Sequence, residues 1–336
     1  MIHLFKYYHP IGFSCPQGHL KVPADFNIQS SDIGFCVDKM GVMFMRDRYG
    51  KTEAYSASGP CGLNTIASLP AFREGGGLAY SGQRLISFGG WYQSYGRKNA
   101  WEYDAANNIW IPIANMQSSS ALSYYAYTMA TVGKMATGDD VIWYYSPYYG
   151  NKWKLHYLKS VSSTPTWSIQ TPSIPKLYRL NHVGVVSVGH FNIIFDDKGK
   201  IWKHNPNSDT NVALPDLPVN NCYYPKASLM ERSIGVGIIV ACMDGRNFFC
   251  LLEKLEWQTP SGWEQLATTA SNQLSYLGYV EGVMHSLRGS TMYKWDDSTE
   301  SWSSSPSGLT AFQMNYGRTT WTSIPKNVIN SWGAGC

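Results

Sequence analysis

One spacing of aromatic residues constrains the fold of this chain more than any other feature. A short apolar segment ends in paired glycines at 89–90, a polar loop follows, and Tyr103 then precedes Trp110 by seven residues. The same seven-residue spacing separates Trp295 from Trp302. Glycine, proline, serine and asparagine interrupt the chain every few residues, which favours short strands over helices. The pattern therefore predicts a repeated unit built from short β-strands.

One residue in the predicted last strand of each unit serves as a marker, and these markers divide the chain into six repeats. The intervals between neighbouring markers run from 39 to 57 residues and average about 47. The markers are Thr65, Trp110, Trp167, Val212, Trp263 and Trp302. A period near 50 residues is longer than that of most helical repeats and is typical of kelch repeats.

The clearest unit, with its double glycine, its Tyr-Asp pair and its tryptophan, resembles the kelch repeat. The resemblance implies an all-β fold: a six-bladed kelch-like β-propeller with four-stranded antiparallel blades. In blade 2 we expect strands at 77–81, 84–89, 100–103 and 109–113. Because a single blade cannot bury both of its faces, the ring must close. We expect one terminal segment to supply a strand to the blade that the other terminal segment begins.

The whole chain, 1–336, is predicted to form a single domain. We expect its blades at 24–72, 73–117, 118–175, 176–219, 220–270 and 271–310, with closure segments at 1–23 and 311–336. A seventh, partial blade is the structural alternative.

The composition excludes several classes of protein. Charged residues make up 15% of the chain and aromatic residues 14%, which excludes a disordered tail protein. The 27 Lys and Arg residues against 23 Asp and Glu leave a net charge of +4, too little for binding nucleic acid mainly through charge. The longest apolar run, 236–243, is too short to span a membrane. We expect neither nucleic-acid binding nor membrane insertion.

Seven cysteines leave at least one unpaired. Cys242 and Cys250 flank an Asp-Gly turn, so they could either pair across neighbouring strands or be small buried side chains. Cys222 could be structural or a reactive thiol. The N-terminal residues do not have the pattern of a secretory signal. We expect an extracellular protein with a processed N-terminus, and a cytoplasmic protein is the alternative.

The loop face of the propeller, formed by the hairpins between the second and third strands of each blade and by the connections between blades, is the predicted binding surface. Basic residues of the predicted hairpins are Arg46, Arg48, Arg97, Lys152, Lys154, Lys198, Arg246 and Arg288. The connections add Arg73, Lys176, Arg179 and Lys226. Aromatic residues among them are Trp91, Tyr92, Tyr95, Tyr148, Tyr149, Tyr223 and Tyr224. Clustered guanidinium groups and rings suit an anionic or aromatic ligand, or a protein partner. Acidic residues in the same hairpins, which could offset this charge, are Asp47, Asp196, Asp197 and Asp244.

Two functions remain open from the sequence. The first is a scaffold that binds a protein partner or an anionic or aromatic ligand on the loop face. The alternative is a propeller enzyme, of the oxidoreductase, lyase or epimerase type, acting on a small aromatic or sugar substrate. Such an enzyme should have a deep axial pocket where groups such as His156, His182 or His285 converge with an aspartate. The histidine spacing indicates no metal site, and we expect no cofactor and nominate no catalytic residue.

Overall fold

The computed structural model describes most of the chain. The described residues are 39–63, 66–70, 76–92, 95–96, 98–116, 130–148, 152–159, 165–174, 183–255, 262–271, 274–309, 319–333 and 335–336. Within them, six four-stranded antiparallel sheets form the blades of a six-bladed β-propeller. The fold class predicted from the sequence is confirmed.

The strands are numbered in chain order. Blade 1 consists of β1 (Gly41–Arg46), β2 (Thr52–Ser56), β3 (Gly59–Cys61) and β26 (Thr320–Pro325). Blade 2 consists of β4 (Gly77–Ser81), β5 (Arg84–Phe88), β8 (Ala100–Asp104) and β9 (Ile109–Ile113). Blade 3 consists of β10 (Ala130–Lys134), β11 (Asp140–Tyr148), β12 (Lys152–Lys159) and β13 (Trp167–Gln170). Blade 4 consists of β14 (Gly184–Val188), β15 (Phe191–Phe195), β16 (Ile201–Asn205) and β17 (Thr210–Leu214).

The remaining elements complete the ring. Blade 5 consists of β18 (Lys226–Arg232), β19 (Gly235–Ala241), β20 (Asn247–Leu251) and β21 (Glu264–Leu266). Blade 6 consists of β22 (Leu274–Val280), β23 (Val283–Arg288), β24 (Thr291–Asp296) and β25 (Ser301–Pro306). A two-stranded sheet of β6 (Trp91–Tyr92) and β7 (Tyr95–Gly96) lies in the hairpin of blade 2. A 3-10 helix spans Leu252–Lys254, and helix α1 spans Lys326–Ser331.

The ring closes through the C-terminal strand. The inner strands β4, β10, β14, β18, β22 and β26 pack side by side around the axis. Strand β26 pairs with β1 over its whole length, from Gly41 opposite Pro325 to Arg46 opposite Thr320. The C-terminal segment thus supplies the inner strand of the blade that the N-terminal strands begin, which confirms the predicted closure. The domain limits proposed for 1–336 stay a prediction.

The apolar core lies between neighbouring blades. At the boundary of blades 2 and 3, the Phe88 ring lies 5.4 Å from Tyr144 and 4.8 Å from Trp167, measured between ring centroids. Every residue of β1 and β20 is buried, because these strands are covered on both faces. Burial of a side chain such as Phe88 stabilises the fold by about 1.5–3 kcal/mol. This explains why strand segments of the sequence carry apolar residues on both faces.

Among the residues that the structure describes, two disulfides link parts of the ring. Cys61, at the end of β3, pairs with Cys336 across a sequence separation of 275 residues, beside a β-bridge between Gly62 and Gly335. Cys222 pairs with Cys242, so the alternative pairing of Cys242 with Cys250 is wrong. Cys250 is a free and buried thiol, whose pKa is raised to about 12 by desolvation. No helix in the described ranges is long and apolar enough to cross a bilayer.

Candidate functional site

The hairpins of the loop face share a local design. In blades 1 and 4, an aspartate directly follows the second strand, and its carboxylate accepts hydrogen bonds from two backbone N–H groups of the turn. Asp47 accepts from Tyr49 and Lys51 at 2.8 and 2.9 Å. Asp196 makes the same pair of hydrogen bonds, to the N–H groups of residues 198 and 200, at 2.9 and 2.8 Å. A carboxylate in this position stabilises the turn, because it accepts hydrogen bonds from backbone N–H groups that have no partner in a strand.

The glycine of each turn accepts a hydrogen bond from the segment that connects its blade to the next blade. Gly50 has φ of +85°, and its carbonyl accepts the Leu69 N–H at 3.0 Å. A Cβ atom here would lie 2.4 Å from the Leu69 carbonyl oxygen, so only glycine fits. Gly199 repeats the arrangement, with φ of +78° and a bond from Leu217. In blades 1 and 4, an Asp-X-X-Gly sequence therefore determines the conformation of the loop-face turn.

Two of the predicted basic residues lie beneath the loop face. Arg46 and Arg288 end the second strands of blades 1 and 6, and both are almost fully buried. Arg288 donates to the carbonyl oxygens of Cys242 and Met243, at 2.9 and 3.2 Å, and Arg46 donates to that of Asp47 at 3.0 Å. Desolvation lowers the pKa of each arginine to about 10, so both stay cationic at neutral pH. These side chains hold hairpins rather than reach solvent.

Other predicted basic residues are hydrogen-bonded on the loop face. Lys198 donates to the side-chain oxygen of Asn221 at 2.8 Å, and Arg246 donates to the Asn221 carbonyl at 2.5 Å. Arg246 also pairs with Asp244 at 2.5 Å, an acidic residue of its own hairpin. The structure thus brings Lys198 and Arg246 together.

In other blades, Arg48 donates to the Tyr49 hydroxyl at 2.6 Å, and Lys154 donates to the Thr171 hydroxyl at 2.6 Å. Each of these basic groups therefore has a neighbour in its own blade.

The remaining predicted residues belong to the hairpins of blades 2 and 3. Trp91 and Tyr92 form β6, and Tyr95 begins β7. Tyr148 ends β11 and Lys152 begins β12, so they are opposite each other in register. Candidates outside the described residues are Arg73, Arg97, Tyr149, Lys176, Arg179 and His182.

A narrow channel runs along the propeller axis. Its volume is about 140 Å³, and the inner strands β4, β10, β14, β18 and β26 line it. Many of the lining residues carry hydroxyl groups: Thr131, Ser187, Ser228, Thr319, Thr320, Thr322 and Ser323. The inner strand of each blade starts at the loop face. The first residues of β18 and β26, Lys226 and Thr320, therefore lie at the loop-face end of the channel.

Lys226 is the one titratable residue among the described residues that line the channel. Its side chain is partly exposed, and burial among the inner strands lowers its pKa to about 8. Within the described parts of the chain, no carboxylate pairs with its ammonium group. The Thr320 hydroxyl, which is 2% exposed, also has no hydrogen-bond partner among those residues. Both residues line the channel, and an ammonium group there can donate hydrogen bonds to an anion.

The Cys222–Cys242 disulfide positions Lys226. It joins the connection that precedes β18 to the hairpin of blade 5. The Cys222 N–H also donates to the Asp197 carbonyl, and the Met243 N–H donates to the Tyr223 carbonyl, both at 2.9 Å. The cysteine at 222 is therefore structural and not a reactive thiol. These bonds hold the backbone just ahead of Lys226 against blades 4 and 5.

The histidines considered for catalysis lie away from the channel. His156 is fully buried in blade 3, with Nε2 3.1 Å from the Ser146 hydroxyl. His285 is buried in blade 6, where its Nδ1 lies 2.8 Å from the Val283 carbonyl and its ring contacts Tyr55. Neither residue lines the channel. The described part of the chain also holds no cluster of three His, Cys, Asp or Glu side chains fit for a metal ion.

The sequence analysis included Lys226 among the loop-face cations but missed the hydroxyl residues of the inner strands. Thr131, Ser187 and Thr320 carry no motif, because strands of any β protein contain serine and threonine. Comparison with known proteins adds no relative: no protein-family model matches the chain, and no curated protein matches it in sequence. The six-bladed propeller is shown, and kelch family membership rests on the resemblance alone.

Proposed function

We propose that this protein is a binding propeller that takes a small anion into its axial channel through the loop face, with Lys226 as the main contact. The observation that carries this proposal is the Lys226 ammonium group in a hydroxyl-lined channel, with no carboxylate partner among the described residues. A charge that is partly withdrawn from water and has no partner lowers the stability of a fold, so a ligand of opposite charge stabilises the fold.

The size of the channel limits the ligand. A volume of about 140 Å³ holds several water molecules, so a small oxyanion can enter the channel. This suits a carboxylate, sulfonate or phosphate with few other atoms. Because a single titratable group lines the described channel, this geometry supports binding better than acid–base catalysis.

We also propose that the protein works outside the cytoplasm. Disulfides persist in oxidising compartments, and the described residues contain two of them. The disulfide at Cys222 and Cys242 would then keep the backbone before Lys226 in its binding position.

Replacing Lys226 by methionine is expected to lower the affinity for ethanesulfonate at least tenfold at pH 7, since a hydrogen bond to a charged group contributes about 1.5–3 kcal/mol. Isothermal titration calorimetry of the full chain measures this. Ethanesulfonate stays ionised at every pH used, so its charge does not vary. In the unchanged protein, affinity should fall as the pH rises through about 8, where Lys226 loses its proton.

The matched control is Lys294→Met, because Lys294 is an exposed lysine on β24, away from the channel. It should bind ethanesulfonate like the unchanged protein. Equal affinity of Lys226→Met and the unchanged protein at pH 7 contradicts the proposal. So does an affinity that stays constant from pH 7 to pH 10.

A further inference from the structure

A chain of hydrogen bonds leads from the channel wall into the boundary between blades 3 and 4. The Thr131 hydroxyl, on β10, donates to the Ser187 hydroxyl and accepts the Ser187 N–H, both at 3.1 Å. Ser187 donates to Asn192 Oδ1 at 2.6 Å, and Asn192 Nδ2 donates to the Tyr145 hydroxyl at 2.6 Å. Thr131 and Ser187 line the channel, whereas Asn192 and Tyr145 are buried.

The chain continues to a carboxylate in the turn between β16 and β17. The Tyr145 hydroxyl lies 2.7 Å from His204 Nδ1, and His204 Nε2 lies 3.3 Å from Asp209 Oδ1. Desolvation of Asp209 is outweighed by hydrogen bonds from Ser173 and His204, which lower the pKa of Asp209. The far end of the chain is therefore an ionised acceptor.

With neutral His204, every hydrogen bond of the chain points away from the channel. Nε2 carries the proton that faces Asp209, so Nδ1 accepts from the Tyr145 hydroxyl. Tyr145 must then accept from Asn192, which fixes the orientation of that amide. The Thr131 proton is committed to Ser187, and Thr131 offers the channel an oxygen lone pair only.

With protonated His204, the same atoms allow one other complete pattern. Nδ1–H now donates to the Tyr145 hydroxyl, so Tyr145 donates to the amide oxygen of Asn192, turned by half a rotation. The amide nitrogen donates to Ser187, and Ser187 donates to Thr131. The Thr131 proton is released from the chain and points into the channel.

We propose that Thr131 is the second anion-binding residue of the channel, and that protonation of His204 makes it a hydrogen-bond donor by inverting this chain. The proposal rests on the proposed function, because it concerns the same ligand. Thr131 would contact the anion directly, whereas Tyr145, Asn192 and His204 act through it as positioning residues. The channel would thus bind an anion more tightly in acid than at neutral pH.

The surroundings of His204 determine how easily it gains a proton. Asp209 is the charged group that faces it, Tyr145 approaches it from β11, and the uncharged Asn192 and Asn211 lie opposite it in register on β15 and β17. Burial lowers the pKa of His204, and the hydrogen bond to Asp209 offsets this only in part. Burial also raises the pKa of Tyr145 far above neutrality, so Tyr145 keeps its proton. Only the direction of its hydrogen bonds changes.

The titration of Lys226 does not interfere with this effect. Its pKa of about 8 lies above the range in which His204 gains a proton. From pH 7 to pH 5, the charged fraction of such a lysine grows only about 1.1-fold. A larger change in anion affinity over this range must come from another group.

The test measures ethanesulfonate affinity by calorimetry at pH 7 and pH 5 on the full chain. Affinity of the unchanged protein should rise from pH 7 to pH 5, by about tenfold for the form with protonated His204, because one more donor then contacts the anion. Tyr145→Phe removes the hydroxyl that links His204 to Asn192, so its affinity should be the same at both pH values. Thr131→Val, which removes the terminal donor, should behave likewise.

Two matched controls distinguish the effect of the hydrogen-bond chain from general effects of substitution. Tyr103→Phe removes a hydroxyl that bonds to Asn108 in blade 2, and Thr137→Val removes one that donates to Asp139 in the turn between β10 and β11, outside the channel lining. Both variants should keep the rise.

A rise that persists in Tyr145→Phe or Thr131→Val overturns the proposal, as does a pH-independent affinity in the unchanged protein. If ethanesulfonate binds at pH 7 through Lys226 without the rise, only the switch is wrong. If it binds at neither pH, the proposed function is wrong as well.

Discussion

The double replacement Cys61→Ser/Cys336→Ser is expected to lower the free energy of unfolding by about 2–5 kcal/mol. The disulfide closes a loop of 275 residues, so it restricts the unfolded chain over most of its length. It also ties the outer strand of blade 1 to the segment after α1, beside the β-bridge of Gly62 and Gly335. Urea unfolding followed by tryptophan fluorescence measures the change.

The second disulfide provides the comparison. Cys222→Ser/Cys242→Ser opens a loop of only 20 residues, so the chain-entropy contribution should be smaller by about 2 kcal/mol. If both double variants unfold at the urea concentration of the unchanged protein, the disulfides do not stabilise the ring. If the short loop proves the more important one, native contacts rather than loop closure determine its effect.

Acidification from pH 7 to pH 4 is expected to lower the free energy of unfolding by about 3 kcal/mol through His156 alone. Desolvation, with Lys154 nearby, lowers the pKa of His156 in the folded protein to about 4. An unfolded histidine titrates near pH 6.5, so the unfolded chain binds the additional proton between these values. Stability is therefore complete above about pH 6.5 and decreases as the pH falls towards 4.

His156→Gln isolates this contribution. Glutamine can still reach the Ser146 hydroxyl but does not titrate, so the difference between the unfolding free energies at pH 7 and pH 4 should shrink by about 3 kcal/mol. His204 and His285 also have lowered pKa values, so they leave a loss of the same sign in both proteins. Parallel pH profiles of the variant and the unchanged protein contradict the assignment.

The repeated architecture could be predicted because aromatic residues recur at or near the outer strands of several blades. The expected strands of blade 2 agree with β4, β5, β8 and β9 to within a residue at each end. Trp110 and Trp302 lie in outer strands as expected, while Trp263 directly precedes β21. The β6–β7 sheet was not expected, since its strands have only two residues each.

The candidate site was only partly predictable. Spacing places Lys226 at a blade connection, but its position in the channel depends on how the inner strands surround the axis. Arg46 and Arg288 look like rim residues because they end strands, and only the packing of neighbouring blades shows that they are buried. The hydrogen-bond chain joins strands of two blades, from Thr131 to His204, and no local pattern encodes such a contact.

The position of β26 determines when the protein can finish folding during its synthesis. Blades 2 to 6 contain strands made before Thr320, so each can assemble as the ribosome delivers it. Blade 1 must wait longer, because the inner partner of its strand Gly41–Arg46 follows the strands of the five other blades in the sequence. Until that partner is made, one edge of the strand stays unpaired, although all of its residues are buried in the finished fold. An unpaired edge of this kind can pair with other nascent chains.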